Sequence, residues 1–296
     1  MPPEQVKFMA AIGDVVRETQ RAFEGVAIPD ARLEAEIIVT NVLQMPRQHL
    51  YAYREEELTS RQEQLLRQFV ERRLKREPLA YILGHKEFYG LDLAVGPGVL
   101  VPRPETELLV EQALFLSMMR MESGDLVIAE PGTGSGAVSV NLAIHLPMAR
   151  IYATELHPAA MNVARFNVRK HNVADRVTLI QGSLLEPVQE TADIIVANLP
   201  YVPSGEIATL QPEIQWEPRE ALDGGPDGLD VIRSLLQQSH SKIKDTGVII
   251  LEIDPRQVQP LEELAREIFP SATTITEQDL AHLDRVFMIN LNTADR

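Results

Sequence analysis

Two short stretches of this 296-residue sequence hold side chains whose types and spacing can do chemistry. The first is Glu130-Pro131-Gly132-Thr133-Gly134-Ser135-Gly136, which follows the apolar run Leu126–Ala129 and leads into a helical pattern through Val138, Leu142 and Leu146. Glycines at a strand end permit unusual backbone angles and let a ligand approach the main chain closely. Their G-x-G-x-G spacing differs from the G-x-G-x-x-G of a dinucleotide site. Glu155 closes the next apolar run, about twenty residues beyond Gly132, where a carboxylate can accept hydrogen bonds from both hydroxyls of a ribose. A helix cap before His157-Pro158 is its competing role. Together these residues predict an adenosine-containing cofactor, bound at Gly132, Thr133, Gly134, Ser135, Gly136 and Glu155, and leave both a nicotinamide enzyme and a methyltransferase open.

The second stretch, Asn198-Leu199-Pro200-Tyr201, comes directly after the apolar run Asp193–Ala197. Methyl transfer from a sulfonium is an in-line displacement, and an amide nitrogen is a poor nucleophile because its lone pair is delocalised into the carbonyl. The Asn198 side-chain oxygen and the Leu199 backbone carbonyl can each accept one N–H of a planar NH2 group, fixing the nitrogen in line and favouring its pyramidal form. Pro200 stiffens the turn, and the Tyr201 ring is expected to flank the acceptor and face a cationic methyl donor. No general base is required first, since the methylated nitrogen is acidic enough to lose its proton afterwards. In isolation an Asn-x-Pro tetrapeptide reads as a turn that ends a strand; its place beyond a strand of this series argues for chemistry.

Those stretches must be carried by strands that end at one edge. Apolar runs at Leu126–Ala129, Ile151–Thr154, Val177–Ile180, Asp193–Ala197, Val248–Leu251, Thr273–Ile275 and Val286–Leu291 alternate with helical patterns. Such alternation predicts an α/β, doubly wound and mostly parallel sheet with its ligand crevice at the carboxyl ends of the strands. Before them, residues 5 to 77 show helical periodicity: Val6, Met9, Ile12 and Val16; Leu33, Ile37, Val39 and Leu43; Leu65, Leu66, Phe69 and Leu74. Pro29-Asp30 reads as a helix start, Pro46 as a stop, and Thr59-Ser60 with Glu63 as a capping box. Phe88 to Val95, two extended runs around Gly90, predicts a hairpin linking the two parts, and Pro97, Gly98, Pro102 and Pro104 a stiff loop before a helix near Glu105. The expected division is a helical domain over residues 1–84, a hairpin linker and loop over 85–103, and a catalytic domain over 104–296.

Composition removes several classes of function. The absence of cysteine closes thiol nucleophiles, disulfides and thiolate metal sites. The seven histidines show no ligand spacing, so no metal is expected. A net charge of -15 argues against direct nucleic-acid binding. The basic cluster Arg67, Arg72, Arg73, Lys75 and Arg76 is expected to be a solvated helix face. Without a signal-like N-terminus or a stretch of about 18 apolar residues, a cytoplasmic protein with no membrane partner is expected. The long segment from Pro203 to Gly228 is assigned to substrate capture, with Trp216 expected to pack there.

Over nearly its whole length the chain resembles the PrmC/HemK family, the glutamine N5-methyltransferases of peptide-chain release factors. The likeness rests on Glu77-Pro78-Leu79-Ala80-Tyr81-Ile82-Leu83-Gly84 with Glu87-Phe88, on Val101-Pro102-Arg103-Pro104-Glu105-Thr106-Glu107, on the Gly-rich turn, on Ala221-Leu222-Asp223-Gly224-Gly225 with Asp227-Gly228-Leu229, and on Leu251-Glu252-Ile253. The resemblance implies a class I (Rossmann-like) methyltransferase with a seven-stranded sheet, using S-adenosyl-L-methionine and releasing S-adenosyl-L-homocysteine. It implies class 1 release factors as substrate, methylated at the Gln of their Gly-Gly-Gln loop and docked with the help of the helical domain. It also places Glu130 at the methionyl amino group, Ser183 and Leu184 at the adenine, and Arg103, with Glu105, in a loop over the cofactor.

The sequence departs from the family pattern at several positions. Leu199 stands where Pro is usual, which keeps the backbone carbonyl and makes the tetrapeptide similar also to that of ribosomal RNA adenine dimethylases. Glu130-Pro131 replaces Asp-Leu, Ser183 an acidic residue, and Asp254 a glycine. Loss of an N–H at Pro131 and of a charge at Ser183 predicts weaker donor binding. The competing functions are adenine amino methylation and a methyltransferase fold that has lost catalysis, with hydride transfer a distant fourth.

Overall fold

The computed structural model describes residues 11–120 and 126–291; Val6 and Met9 lie outside them. The chain forms two compact units, one running to Gly84 and taking in Gln211–Trp216, the other holding His85–Leu210 and continuing from Glu217.

The helical unit contains α1 (Ile12–Glu24), α2 (Ala31–Leu43), α3 (His49–Ala52), α4 (Ser60–Leu74) and α5 (Leu79–Leu83). Val15, Phe23, Ile38, Val39 and Leu66 are fully buried on their shared face. The capping box exists with a shifted register. Thr59 is the cap, its hydroxyl accepts from Gln62 N at 3.3 Å, and the Gln62 side chain returns to Thr59 N at 2.9 Å, so Gln62 takes the part assigned to Glu63. Asp30 precedes α2 in a left-handed conformation and makes no capping hydrogen bond. The basic face on α4 differs from expectation too. Arg73 is 2% exposed and pairs with Glu34 and Glu213, Arg72 pairs with Glu77, and Arg76 pairs with Glu213 and reaches the carbonyls of Val26 and Ala27. A guanidinium is buried where carboxylates meet it on both sides, a partnership spread from position 34 to 213 that helical periodicity does not reveal.

The second unit opens with an antiparallel hairpin, β1 (His85–Phe88) and β2 (Leu91–Ala94). Asn167 holds it by accepting from Ala94 N at 2.8 Å and donating to Ala94 O at 2.9 Å. After α6 (Thr106–Arg120) come β3 (Val127–Pro131), α7 (Ala137–His145), β4 (Arg150–Glu155), α8 (Pro158–Lys170), β5 (Val177–Gln181), β6 (Ala192–Ala197), α9 (Asp230–Ser239), β7 (Ile243–Glu252), α10 (Val258–Ile268), β8 (Thr273–Gln278) and β9 (Asp284–Asn290). The sheet order is β5-β4-β3-β6-β7-β9-β8, parallel except where β9 runs against β7 and β8. Side chains of β6 alternate between two buried layers, Ile194 and Val196 on one face and Ile195 and Ala197 on the other, which explains a continuous apolar run in place of a polar/apolar alternation. β7 begins five residues before its apolar run because Lys244-Asp245-Thr246-Gly247 interrupts the pattern.

Chain direction across the sheet reverses between β3 and β6, the topological switch point at which doubly wound sheets open a crevice. The Gly-rich turn and Asn198 stand at the carboxyl ends of these two neighbours. Among the described residues, no helix is long and apolar enough to cross a membrane.

Candidate active site

A cavity of about 630 Å³ opens at this switch point. Its wall includes Glu130, Gly132, Thr133, Gly134 and Ser135 beyond β3, Glu155 beyond β4, Ser183 and Leu184 beyond β5, and Asn198, Leu199 and Pro200 beyond β6. The sequence-predicted residues from four strand ends therefore meet in one place. Gly136, Tyr201 and Arg103 do not line it.

The Gly-rich turn is held from below. Gly132 N and Thr133 N both donate to Thr154 O at 2.9 Å, so the turn keeps its anchor despite the N–H missing at Pro131. Gly132 adopts φ +72°, and a Cβ there would stand 2.8 Å from Leu199 Cδ2. Leu199, 4% exposed, thus packs its side chain directly against the turn, which is how the two motifs touch. Glu155 accepts from Gly134 N at 2.9 Å and from His157 N at 2.8 Å, joining turn and helix start while it lines the cavity. The contact to His157 N holds the chain just before α8, whose cap residue is His157 itself.

Glu130 is 4% exposed and accepts from the Thr133 hydroxyl at 2.7 Å. Burial pushes its carboxyl up to about 8 against the hydrogen bonds of Thr133 and Ser139, with the charge of Glu155 adding to the rise. The cavity wall carries five acids, Glu130, Glu155, Glu220, Asp223 and Asp230, and neither lysine nor arginine. Such a wall favours a cationic ligand and offers no cation to a pyrophosphate.

Asn198 donates from Nδ2 to Thr106 Oγ1 at 3.0 Å, which leaves its side-chain oxygen as the other polar face of the amide. The Tyr201 hydroxyl donates to Glu252 Oε1 at 3.2 Å. Its pKa rises, from burial first and then from the Glu252 charge. The ring expected to flank an acceptor is thus tied at its far end to a carboxylate at the end of β7. Arg103, in the loop read as lying over the cofactor, is not among the residues that line the cavity. It pairs with Glu217, whose carboxylate is buried and also accepts from Val101 N at 3.0 Å. Burial raises the Glu217 pKa and Arg103 opposes the rise. The pair fixes the proline-rich loop, and it is Leu100, Pro102 and Thr106 of that region that reach the cavity.

The segment from Pro203 to Gly228 is built from three 3-10 turns, Ile207–Thr209, Ile214–Trp216 and Arg219–Ala221. Trp216 is 45% exposed, so packing does not fully account for it. The glycine-rich end of the segment is pressed on the tetrapeptide: a Cβ on Gly224 would lie 2.7 Å from Pro200 O, and one on Gly228 2.3 Å from Tyr201 O. Gln257 donates to both Tyr201 O at 3.0 Å and Gly228 O at 3.1 Å, locking the two stretches of chain together. Thr106, Glu217, Glu252 and Gln257 are site residues that motif reasoning misses. Thr106 and Glu252 lie inside family-like runs, which is their only signal in the sequence.

The sheet order and the placement of turn and acid define a Rossmann-like methyltransferase fold. The N-terminal domain of human METTL16 in complex with SAH shares that fold, with a TM-score of 0.51 at 16% identity over 69% of this chain and 77% of that one. Residues 110–214 match the family described as ribosomal protein L11 methyltransferase (PrmA), and residues 14–84 match the PrmC N-terminal domain. A release factor glutamine methyltransferase of Moorella thermoacetica is 42% identical over 279 residues, spanning 94% of this chain and 96% of the relative. That of Geobacter sulfurreducens is 39% identical over 262 residues, spanning 88% and 89%. This chain belongs to the release factor glutamine methyltransferase family.

Proposed function

We propose that this protein transfers a methyl group from S-adenosyl-L-methionine to the side-chain amide nitrogen of the Gln in the Gly-Gly-Gln loop of class 1 peptide-chain release factors. The observation that carries the reading is the Asn198 amide, whose NH2 is taken by Thr106 within a cavity that five acids line. An acceptor NH2 needs oxygens facing it, and the Asn198 side-chain oxygen and Leu199 carbonyl are of the required kind.

The cavity residues fit the donor. S-adenosyl-L-methionine carries a sulfonium and an ammonium, and its electrophilic methyl group is the chemistry it supplies when bound. Glu130 is the carboxylate for the ammonium, Glu155 for the ribose hydroxyls, Gly132 to Gly136 a close-approach backbone, and Ser183 and Leu184 the adenine end. Asn198, Leu199 and Pro200 hold the acceptor nitrogen in line. The methylated amide then sheds its extra proton to solvent. Residues 1–84 serve as the helical docking domain, 85–103 as hairpin and loop, and 104–296 as the catalytic domain, in a cytoplasmic enzyme.

The test is incubation with labelled S-adenosyl-L-methionine and a release factor, beside one whose Gly-Gly-Gln glutamine is replaced by alanine, with mass spectrometry locating the label. Label on that glutamine alone is expected. Label elsewhere, or none despite donor binding, contradicts the reading.

A further inference from the structure

The chain that carries Asn198, Leu199 and Pro200 turns away from the cavity at Tyr201 and rejoins its wall beyond Gly228, at Asp230, Val231 and Ser234. The two ends of so long a segment drift apart unless something fastens them. Part of the fastening is backbone: Val202 N donates to Leu222 O at 3.0 Å and Gly224 N to Val202 O at 2.9 Å. Tyr201 and Gly228 are joined by a side chain from a third stretch of the molecule.

That side chain is Gln257, 5% exposed, in the 3-10 turn Pro255–Gln257 between β7 and α10. Its Nε2 donates to Tyr201 O at 3.0 Å and to Gly228 O at 3.1 Å, and its Oε1 accepts from Asp254 N at 3.0 Å. The reversed amide would set an oxygen against two carbonyls and an NH2 against an N–H, so the network admits one orientation. The same turn reaches the segment again where Arg256 meets the Glu206 carboxylate with two bonds of 3.0 and 2.9 Å, an exposed pair that adds alignment more than energy. Tyr201 is thus held at its carbonyl by Gln257 and at its hydroxyl by Glu252 Oε1. Between Tyr201 and Leu199 stands Pro200, whose ring fixes φ. With Leu199 packed on the Gly132 turn at one side and Tyr201 pinned at the other, the Leu199 carbonyl has little freedom to turn.

We infer that Gln257 is a positioning residue for methyl transfer: by bridging Tyr201 O and Gly228 O, it holds the Leu199 carbonyl in the direction that the acceptor N–H needs. Gln257 does not line the cavity and acts through the backbone of the tetrapeptide. The inference rests on the glutamine-amide reading above.

Gln257→Met keeps the length of the side chain and removes its donor. It is expected to lower the single-turnover rate per folded molecule, at saturating donor and release factor, by about 10- to 100-fold, the scale of a misplaced reacting group. The Kd for S-adenosyl-L-homocysteine, measured by calorimetry, should stay close to wild type. Gln257→Glu separates positioning from packing. Its ionised carboxylate repels both carbonyls, whereas its acid form donates to one of them and still accepts from Asp254 N. The ratio of its rate to the wild-type rate should therefore rise by about tenfold as pH falls from about 8.5 to about 5.5. The titratable groups of the stretches that meet Gln257, namely Asp254, Arg256, Glu252, Tyr201 and Asp227, are common to both proteins and drop out of that ratio. A wild-type rate in Gln257→Met, a Gln257→Glu ratio that does not change with pH, or a loss that appears in product affinity instead of rate overturns the inference. Should Gln257→Met fail to fold, the Gln257→Glu series decides the same question, since its acid form supplies the missing donor. An inactive wild type would instead overturn the glutamine-amide reading, and that is seen before any variant is made.

Discussion

At the scale of single residues, Asn198 and the two buried acids make separable predictions. Removing the Asn198 oxygen takes away an acceptor needed at the moment the amide nitrogen pyramidalises, so Asn198→Ala should lower kcat by about 10²- to 10³-fold. Donor affinity, measured by calorimetry, should change little. Glu130 and Glu252 titrate in different places because burial lifts them to about 8 and about 7. Pairing with a cationic donor requires Glu130 ionised, so donor affinity should rise as pH increases from 6 toward 8, by at most about tenfold per unit, and Glu130→Gln should remove the rise. At saturating donor Glu130 is already ionised, and kcat reports Glu252. The groups acting on it are Thr106, Tyr201, Glu105 and Arg285. Glu252 accepts the Tyr201 hydroxyl, and its ionisation strengthens that hold on the tetrapeptide, which predicts kcat rising through about pH 7; a profile unchanged in Glu252→Gln would contradict this. None of the Glu252 chemistry is legible in the sequence, since Thr106, Asn198 and Glu252 are far apart along the chain and only β6–β7 pairing with α6 across it makes them neighbours.

At the scale of elements, what the sequence discloses is periodic and local. Each of the seven apolar runs forms a strand; the central ones, such as β3 and β6, are apolar at nearly every position because both faces are buried, whereas β5 and β8 at the sheet edges are partly exposed, and the G-x-G-x-G turn, Glu155 and Asn198 follow at strand ends as topology demands. What escapes is either masked by polar residues, as at the start of β7, or set by long-range partners. Glu217 captures Arg103 from the cofactor loop, and Glu34 with Glu213 draws Arg73 inside. The segment between Pro203 and Gly228 belongs with these. Its length implies a substrate-capturing lid, whereas its closing residues form a brace: Val202 N donates to Leu222 O, Gly224 N to Val202 O, and Ser204 N to Gly225 O. Gly228 sits at φ +77° with the Tyr201 carbonyl 2.3 Å from where a Cβ would be. Gly228→Ala should therefore shift the Pro200–Tyr201 backbone, costing about 1–3 kcal/mol of stability in thermal unfolding and more activity than that loss of folded protein explains. Full activity per folded molecule would mean the brace does not position the tetrapeptide.

At the scale of the whole molecule, the carboxylates divide into two populations that pull stability in opposite directions with pH. Glu36 is held below the usual carboxylate range despite its burial, by Tyr51, Arg47 and Arg32; Glu206 is held low by Arg256, and Asp279 by the Leu283 amide and Arg285. Their folded pKa values lie below the unfolded ones, so their stabilisation is present at neutral pH and is lost on acidification. Glu130 and Glu252 are the reverse. Their folded pKa values lie above the unfolded value near 4.5, so the stability they contribute is complete below that value and is lost as pH rises through about 7 and about 8. Each group adds a slope approaching about 1.4 kcal/mol per pH unit within its window. The ligand-free protein should therefore melt highest at mildly acidic pH and lose several degrees by about pH 9 on this alkaline limb, and Glu130→Gln and Glu252→Gln should each flatten it. Donor or product binding supplies the cation that Glu130 lacks. The rise in melting temperature produced by a fixed concentration of S-adenosyl-L-homocysteine should thus be larger near pH 8 than near pH 6, and the difference should vanish in Glu130→Gln. A ligand-induced rise that is the same at both pH values would place the ammonium of the cofactor away from Glu130 and require another partner for it in the cavity.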